Sequence, residues 1–228
     1  MKRAAFTMLE LVFVIVVLGI LAALAMPRMQ TDTRQEAIDN VISAIKYTQH
    51  MALSDNVIKA RNRRWQRRFW RFGKEGCSDN GIFYYIGSDK DMGGNIDANL
   101  GEAAVDTTNG MLYMGLNGQP CKDKESVKTQ VYSNGLAATP SIFLTKKYGI
   151  SEGNMKFSAS CQTTDADHGH IAFDYLGRPH ARIENVTQPD NATLIGTDCN
   201  ITLRFTDTSI QDVIITVEKE TGRVYLAQ

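Results

Sequence analysis

FTMLELVFVIVVLGILAALAM, residues 6–26, decides how the rest of the chain is read. The run carries one charge, Glu10. As a helix rising about 1.5 Å per residue it reaches about 30 Å, the thickness of a bilayer's hydrocarbon core. Lys2 and Arg3 precede it in the stub MKRAA, so the positive-inside tendency puts Met1 in the cytoplasm and the remainder outside. A cleaved signal peptide is the alternative, and Ala23-Leu24-Ala25 fits its small-residue cleavage pattern. Against that reading, the run is long for a signal-peptide core, and Glu10 has no purpose in one. A plain anchor leaves Glu10 equally unexplained, because a lone carboxylate in a membrane helix costs about 2–3 kcal/mol unless it finds a partner.

Outward from this run the helical pattern continues. Pro27 removes a backbone donor and crowds the turn before it, so a local unwinding is expected there. Thr31 or Asp32 offers a fresh cap. Ile38, Val41, Ile42, Ile45, Ala52 and Leu53 then recur at helical spacing as one apolar stripe that predicts packing on a globular domain. The helix is expected to end near Ile58–Arg61. From about Arg64 the signals change to strands. RWQRRFWRF, GIFYYIG, MLYMG, TQVY, SIFLT, MKFSA, HIAFDY, ITLRF, QDVIITVE and GRVYLA are short β-type runs between turn signals such as Asn109-Gly110 and Asn117-Gly118. The expected fold class is α+β: a long N-terminal α-helix, membrane-spanning in its first half, packed on an antiparallel β-sheet globular domain.

Composition fits one such domain plus an extended element. The 228 residues carry 25 Lys+Arg and 25 Asp+Glu, a formal net charge of zero, and are 43% hydrophobic. That excludes a disordered tail and a uniformly basic nucleic-acid binder, and it supplies enough apolar mass for a core.

AFTMLELVFVIVVLGILAALAMP, residues 5–27, resembles the N-terminus of type IV pilins and type II secretion pseudopilins. The resemblance implies that a prepilin peptidase cuts between Ala5 and Phe6 and methylates Phe6, leaving Glu10 as the fifth mature residue. Ala5 stands where the family usually has Gly. Gly19 and Pro27 fall where family members often carry helix-loosening residues. Cleavage frees a cationic amine on Phe6, for which Glu10 of a neighbouring subunit is a natural counter-charge. A staggered pairing of that kind is heterologous and does not close, so it gives a filament. IAFDYLGRPHARI, CNITLRF and DVIITVEKETGRVYL, within residues 171–226, resemble the end of GspH/FimT-like minor pilins, and NVISAIKYTQHMALSDN, residues 40–56, resembles the helix before their first strand. The implied division is a cleaved basic leader (1–5), a transmembrane helix (6–26), the periplasmic part of the helix (27–61) and a β-rich periplasmic domain (62–228). The implied location is the bacterial inner membrane, single pass, with filament association after assembly. The implied partners are other pilins or pseudopilins in a helical filament, the prepilin peptidase, an inner-membrane assembly platform and the lipid bilayer.

In an oxidising space Cys77, Cys121, Cys161 and Cys199 are disulfide candidates with three possible pairings. Cys77–Cys121 and Cys161–Cys199 are preferred, because each links segments that flank neighbouring strand runs. No C-x-x-C spacing favours zinc. Residues 59–74 hold eight basic residues (Lys59, Arg61, Arg63, Arg64, Arg67, Arg68, Arg71, Lys74) and no acid, interleaved with Trp65, Phe69, Trp70 and Phe72. From Glu75 onward 12 basic residues face 20 acidic ones, a net −8. A DNA-binding stripe is one reading of Arg64, Arg67, Arg68 and Arg71. The preferred reading is a strand whose aromatics enter the core while its arginines pair with the acidic domain or a neighbouring subunit. Some FimT-like pilins bind DNA through a C-terminal Gly-Arg-x-Arg strand; here Gly222-Arg223-Val224-Tyr225 lacks the second arginine.

Asp89, Asp91, Asn95 and Asp97 are oxygen ligands of the type calcium takes, but Gly93 breaks the EF-hand spacing and a polar turn is preferred. His168 and His170 beside Asp165 and Asp167 are read as a solvated loop rather than a metal site. Asn185, Asn191 and Asn200 begin compositional sequons. No nucleophile–base set, phosphate loop or carboxylate pair points to catalysis, so no enzymatic activity and no cofactor is expected. The expected function is a minor pilin or pseudopilin, a structural subunit supporting assembly or the tip of a type II secretion pseudopilus or type IV pilus-like filament. The alternative is a DNA-binding minor pilin of a competence pilus.

Overall fold

The computed structural model describes residues 8–55, 62–162 and 169–227, with the backbone alone described across 22–31. Helix α1 runs Met8–Ser54. It passes through Pro27 without a break, so the expected unwinding there and the fresh start at Thr31 or Asp32 are corrected. One proline removes a single i→i−4 bond, and the turns on both sides keep the backbone helical. The expected end near Ile58–Arg61 lies outside the described residues.

The membrane-spanning first half of this helix is also corrected, and with it the single-pass inner-membrane placement. Among the described residues no helix is long and apolar enough to cross a membrane.

The second half of α1 buries Ala37, Ile38, Val41, Ala44, Ile45, Thr48 and Ala52. These recur every three or four residues and therefore share one face. Leu53, expected on that stripe, is exposed; one residue past Ala52 stands about 100° further round the helix. The polar Gln49 also faces the domain. Its Nε2 donates to the carbonyls of Gly177 and Thr221, each at 2.9 Å.

Two four-stranded antiparallel sheets carry the rest, within the expected α+β class. The first consists of β1 (Trp70–Gly76), β2 (Ile82–Gly87), β4 (His170–Phe173) and β5 (Pro179–His180), in the order β2-β1-β4-β5. The second consists of β3 (Met155–Phe157), β6 (Cys199–Leu203), β7 (Val213–Val217) and β8 (Val224–Leu226), in the order β3-β6-β7-β8. The face of α1 joins both sheets in one apolar cluster that includes Phe72, Phe83, Phe143, Phe157, Ile171 and Ile215. The FDYLGRP and GRV turns meet at the helix. Gly177 and Gly222 both adopt left-handed φ, at 79° and 68°. A Cβ on Gly222 would collide with the Gly177 carbonyl and stand 2.6 Å from Gln49 Nε2, so only glycine lets these two hairpins approach.

Four expected strands take other forms in whole or in part. In RWQRRFWRF, Trp65–Arg68 is a 3-10 turn and pairing begins at Trp70. SIFLT contributes a 3-10 turn, Pro140–Ile142, and the start of a short helix, Leu144–Tyr148. Ile142, Phe143 and Leu144 are all fully buried, which a strand open to water on one face does not permit. MLYMG and TQVY make only isolated bridges, Val105↔Leu112, Leu112↔Ala138 and Val131↔Ala137.

Disulfides join Cys77 to Cys121 and Cys161 to Cys199, with Cα atoms 6.0 and 5.6 Å apart. They span sequence separations of 44 and 38 residues. Removing either by paired Cys→Ser substitution is expected to lower stability by about 2–4 kcal/mol, mainly by freeing the unfolded chain. Urea unfolding with and without reductant checks this; an unchanged midpoint would count against it.

Candidate functional site

Every large apolar side chain from Met8 to Leu21 is exposed, with Met8 at 86%, Leu9 at 82% and Phe13 at 69%. A run of this kind is far larger than the scattered apolar residues of an ordinary surface and marks a contact face. Glu10, the one acidic residue in the first turn of α1, is exposed within it. Beyond its own turns of helix, no atom of the described residues lies within 4 Å of where a Cβ on Gly19 would stand, so a neighbouring helix has room to approach there. The Ala5–Phe6 junction and its methylation site lie outside the described residues, as does the side chain of Pro27.

The arginine stripe divides. Arg64 is exposed and Arg68 half-buried, but Arg67 and Arg71 are buried. Arg67 donates to the carbonyls of Val186 at 2.8 Å and Met92 at 2.9 Å. Arg71 donates to the carbonyls of Gly94 at 2.9 Å and Arg67 at 3.1 Å, and its Nη2 lies 3.3 Å from Asp89 Oδ2. The two guanidiniums thus fasten the 88–97 and 183–190 loops to β1. Lys74 is also buried. Trp65 and Phe69 meet edge to face at 5.4 Å, and Trp70 Nε1 donates to Asp55. Arg223 is exposed, stacked over Tyr225 at 5.0 Å and 3.9 Å from Glu218.

Of the calcium candidates, the carboxylates of Asp89 and Asp91 come together, joined by that of Glu102 rather than Asp97. The carboxylates are taken up by the backbone. Asp89 accepts from Gly93 and Gly94 N–H at 3.0 and 2.7 Å. Glu102 accepts from Asp91 and Asp97 N–H at 3.0 and 2.7 Å. Asp97 caps a 3-10 turn through Asn99 N–H. Burial raises the Asp89 carboxyl, against the opposing pull of Gly94 N–H and Arg71. This is a polar turn held by its acids. Glu102 was missed because it follows Asp91 by eleven residues, outside any loop pattern.

A second polar cluster was not foreseen. Asp174 accepts from Leu176 and Arg178 N–H, each at 2.9 Å, and holds Arg178 Nη2 at 2.7 Å. His180 Nε2 lies 3.4 Å from the same carboxylate, and His180 Nδ1 lies 2.9 Å from Thr193 Oγ1. Burial alone would raise the Asp174 carboxyl, but hydrogen bonds from His180 and Arg178 bring it down to about 2. The order Asp–His–Thr has the connectivity of a hydrolase triad. Yet all three residues are buried, and Thr193 Oγ1 donates its proton to the Asp190 carbonyl at 2.8 Å. The hydroxyl is therefore a brace for the Asp190 turn, not a nucleophile aimed at a substrate.

His170 sits on β4 with Nε2 3.4 Å from Glu184 Oε2. Burial, aided by the charge of Arg71, pushes its pKa down to about 3, so it is neutral. His168, Asp165 and Asp167 lie outside the described residues. Of the sequons, Asn200 is tied to Thr216 at 2.9 Å, Asn191 lies in a 3-10 turn, and Asn185 donates to Glu184. Compared with models of protein families, with curated proteins and with solved structures, the chain matches none of them.

Proposed function

We propose that the chain is a structural filament subunit: a minor pilin or pseudopilin of a type II secretion pseudopilus or type IV pilus-like filament, supporting its assembly or tip. The observation that carries this reading is the division of α1. Its second half is buried on the β domain, while every large apolar side chain of residues 8–21 is exposed. Helices of neighbouring subunits packed along that surface would bury it, at about 25 cal/mol for each Å² of apolar area removed from water. Processing between Ala5 and Phe6 belongs to the same reading, with Glu10 meeting the new N-terminus of a neighbour. The partners are other pilin-like chains and a prepilin peptidase. The DNA-uptake alternative has less to stand on, since Arg67 and Arg71 are engaged inside the fold.

Val14→Asp combined with Leu18→Asp is expected to reduce co-purification with the other filament subunits at least roughly tenfold, since each charge must be desolvated in the helix bundle. Both residues are remote from the core, so unfolding of the β domain should shift by less than about 0.5 kcal/mol. Glu10→Ala is expected to act in the same direction. Unchanged co-purification of the double variant would contradict the proposal.

A further inference from the structure

Between the second half of α1 and the loops around Tyr113 lies a cleft of about 310 Å³, within the range of small-ligand sites. Its lining includes Asn40, Tyr47, Tyr84, Asp106, Tyr113 and Ser141, and no cationic residue. The three rings are contiguous. Tyr47 and Tyr113 have centroids 5.6 Å apart, and Tyr84 stacks on Tyr113 at 6.4 Å with 25° between planes.

Asp106 is 6% exposed, and neutral groups satisfy it: Thr108 N–H at 2.9 Å, Thr108 Oγ1 at 2.6 Å, and Asn109 Nδ2 and Thr139 Oγ1 at 3.1 Å each. Burial would raise its pKa, yet these bonds hold it below the ordinary carboxylate range. Its negative charge is therefore kept and, among the described residues, not neutralised by an ion pair. The Tyr47 and Tyr113 hydroxyls are pushed up, first by burial and then by this anion. Asn40 adds a buried Oδ1 with no hydrogen-bond partner, while its Nδ2 donates to the Ser141 carbonyl at 3.2 Å. Electron-rich ring faces beside a carboxylate attract a weakly hydrated cation and offer a neutral or anionic guest nothing comparable.

We infer that this cleft binds an organic cation, a quaternary ammonium or guanidinium group, whether free or on a protein side chain. The inference is independent of filament assembly, because the cleft lies on the other half of α1 from the exposed run.

Calorimetric titration of the full chain with choline and methylguanidinium, each against its uncharged isostere (3,3-dimethylbutanol and methylurea), tests it. Both cations should saturate the protein and compete with each other, and the isosteres should bind at least roughly tenfold more weakly. Asn40→Asp, which adds a second carboxylate, should tighten cation binding roughly fivefold or more, and Tyr113→Leu should weaken it by a similar factor. Asp106→Asn removes both the charge and a loop anchor, so those two variants carry the result. N-acetyl-arginine amide binding more tightly than methylguanidinium would mark a protein side chain as the natural guest; equal or weaker binding would mark a small free cation. Isosteres binding as well as the cations, no saturation by either cation, or an unchanged affinity in Asn40→Asp would overturn the inference.

Discussion

Replacing Arg71 by alanine is expected to lower the stability of the β domain by about 3–5 kcal/mol, the range for removing one partner of a buried ion pair. Arg71 and Asp89 are 3% and 0% exposed in their side chains and 3.3 Å apart. Loss of the guanidinium strands the Asp89 charge and also leaves the carbonyls of Gly94 and Arg67 without a donor. Asp89→Ala should cost a similar amount, since Arg71 is then the stranded charge and Gly94 N–H loses its acceptor. The double variant should cost less than the sum of the two, by about 1–3 kcal/mol of coupling. Urea unfolding of the four proteins measures this. Single-variant losses below about 1 kcal/mol, typical of exposed pairs, would show that the pair does not hold the domain together.

The second large effect is with pH. His170 has a folded pKa of about 3 against an ordinary value of 6.5. Between those values the unfolded chain binds a proton that the folded chain refuses. Stability from this group is fully present above pH 6.5 and falls on acidification by about 1.4 kcal/mol per pH unit until about pH 3. Asp174 acts in the same direction lower down: its folded pKa of about 2 lies below the ordinary 3.8, so its contribution is lost as pH falls through that interval. His170→Gln should flatten the slope between pH 6.5 and 4 and leave the lower limb. A His170 resonance titrating near 6.5 in the folded protein, or stability that holds level down to pH 4, would mean that the Glu184 carboxylate captures the ring as an ion pair instead.

The sequence made the helix and the C-terminal strands legible for reasons that are local. The stripe from Ile38 to Ala52 has a helical period whatever it packs on, and HIAFDY, ITLRF, QDVIITVE and GRVYLA carry β-branched and aromatic residues between turn signals. The two disulfides were within reach because each pair brackets neighbouring strand runs. What local pattern does not encode is where a charged or aromatic residue ends in three dimensions. Arg64 and Arg67 look alike in the chain, yet one is solvated and the other reaches carbonyls at Met92 and Val186, on loops remote in sequence. SIFLT has strand propensity, but burial on all sides and Gly149 at φ 68° turn it into helix. The Asp174–His180–Thr193 cluster and the tyrosine cleft are assembled by tertiary contacts alone. The first half of α1 was misread as a membrane span because its composition fits a bilayer and a helix bundle equally well.

On the proposed function, residues 8–21 of α1 are covered by other subunits rather than by the chain's own domain. A photo-crosslinking amino acid at Val14, activated in the cells that make the protein, reports what lies against that surface. Crosslinks to the apolar N-terminal helix of another pilin-like chain or of a second copy are expected. Crosslinks confined to the chain's own β domain, or no crosslinked chain at all while the protein is folded and abundant, would contradict the proposal.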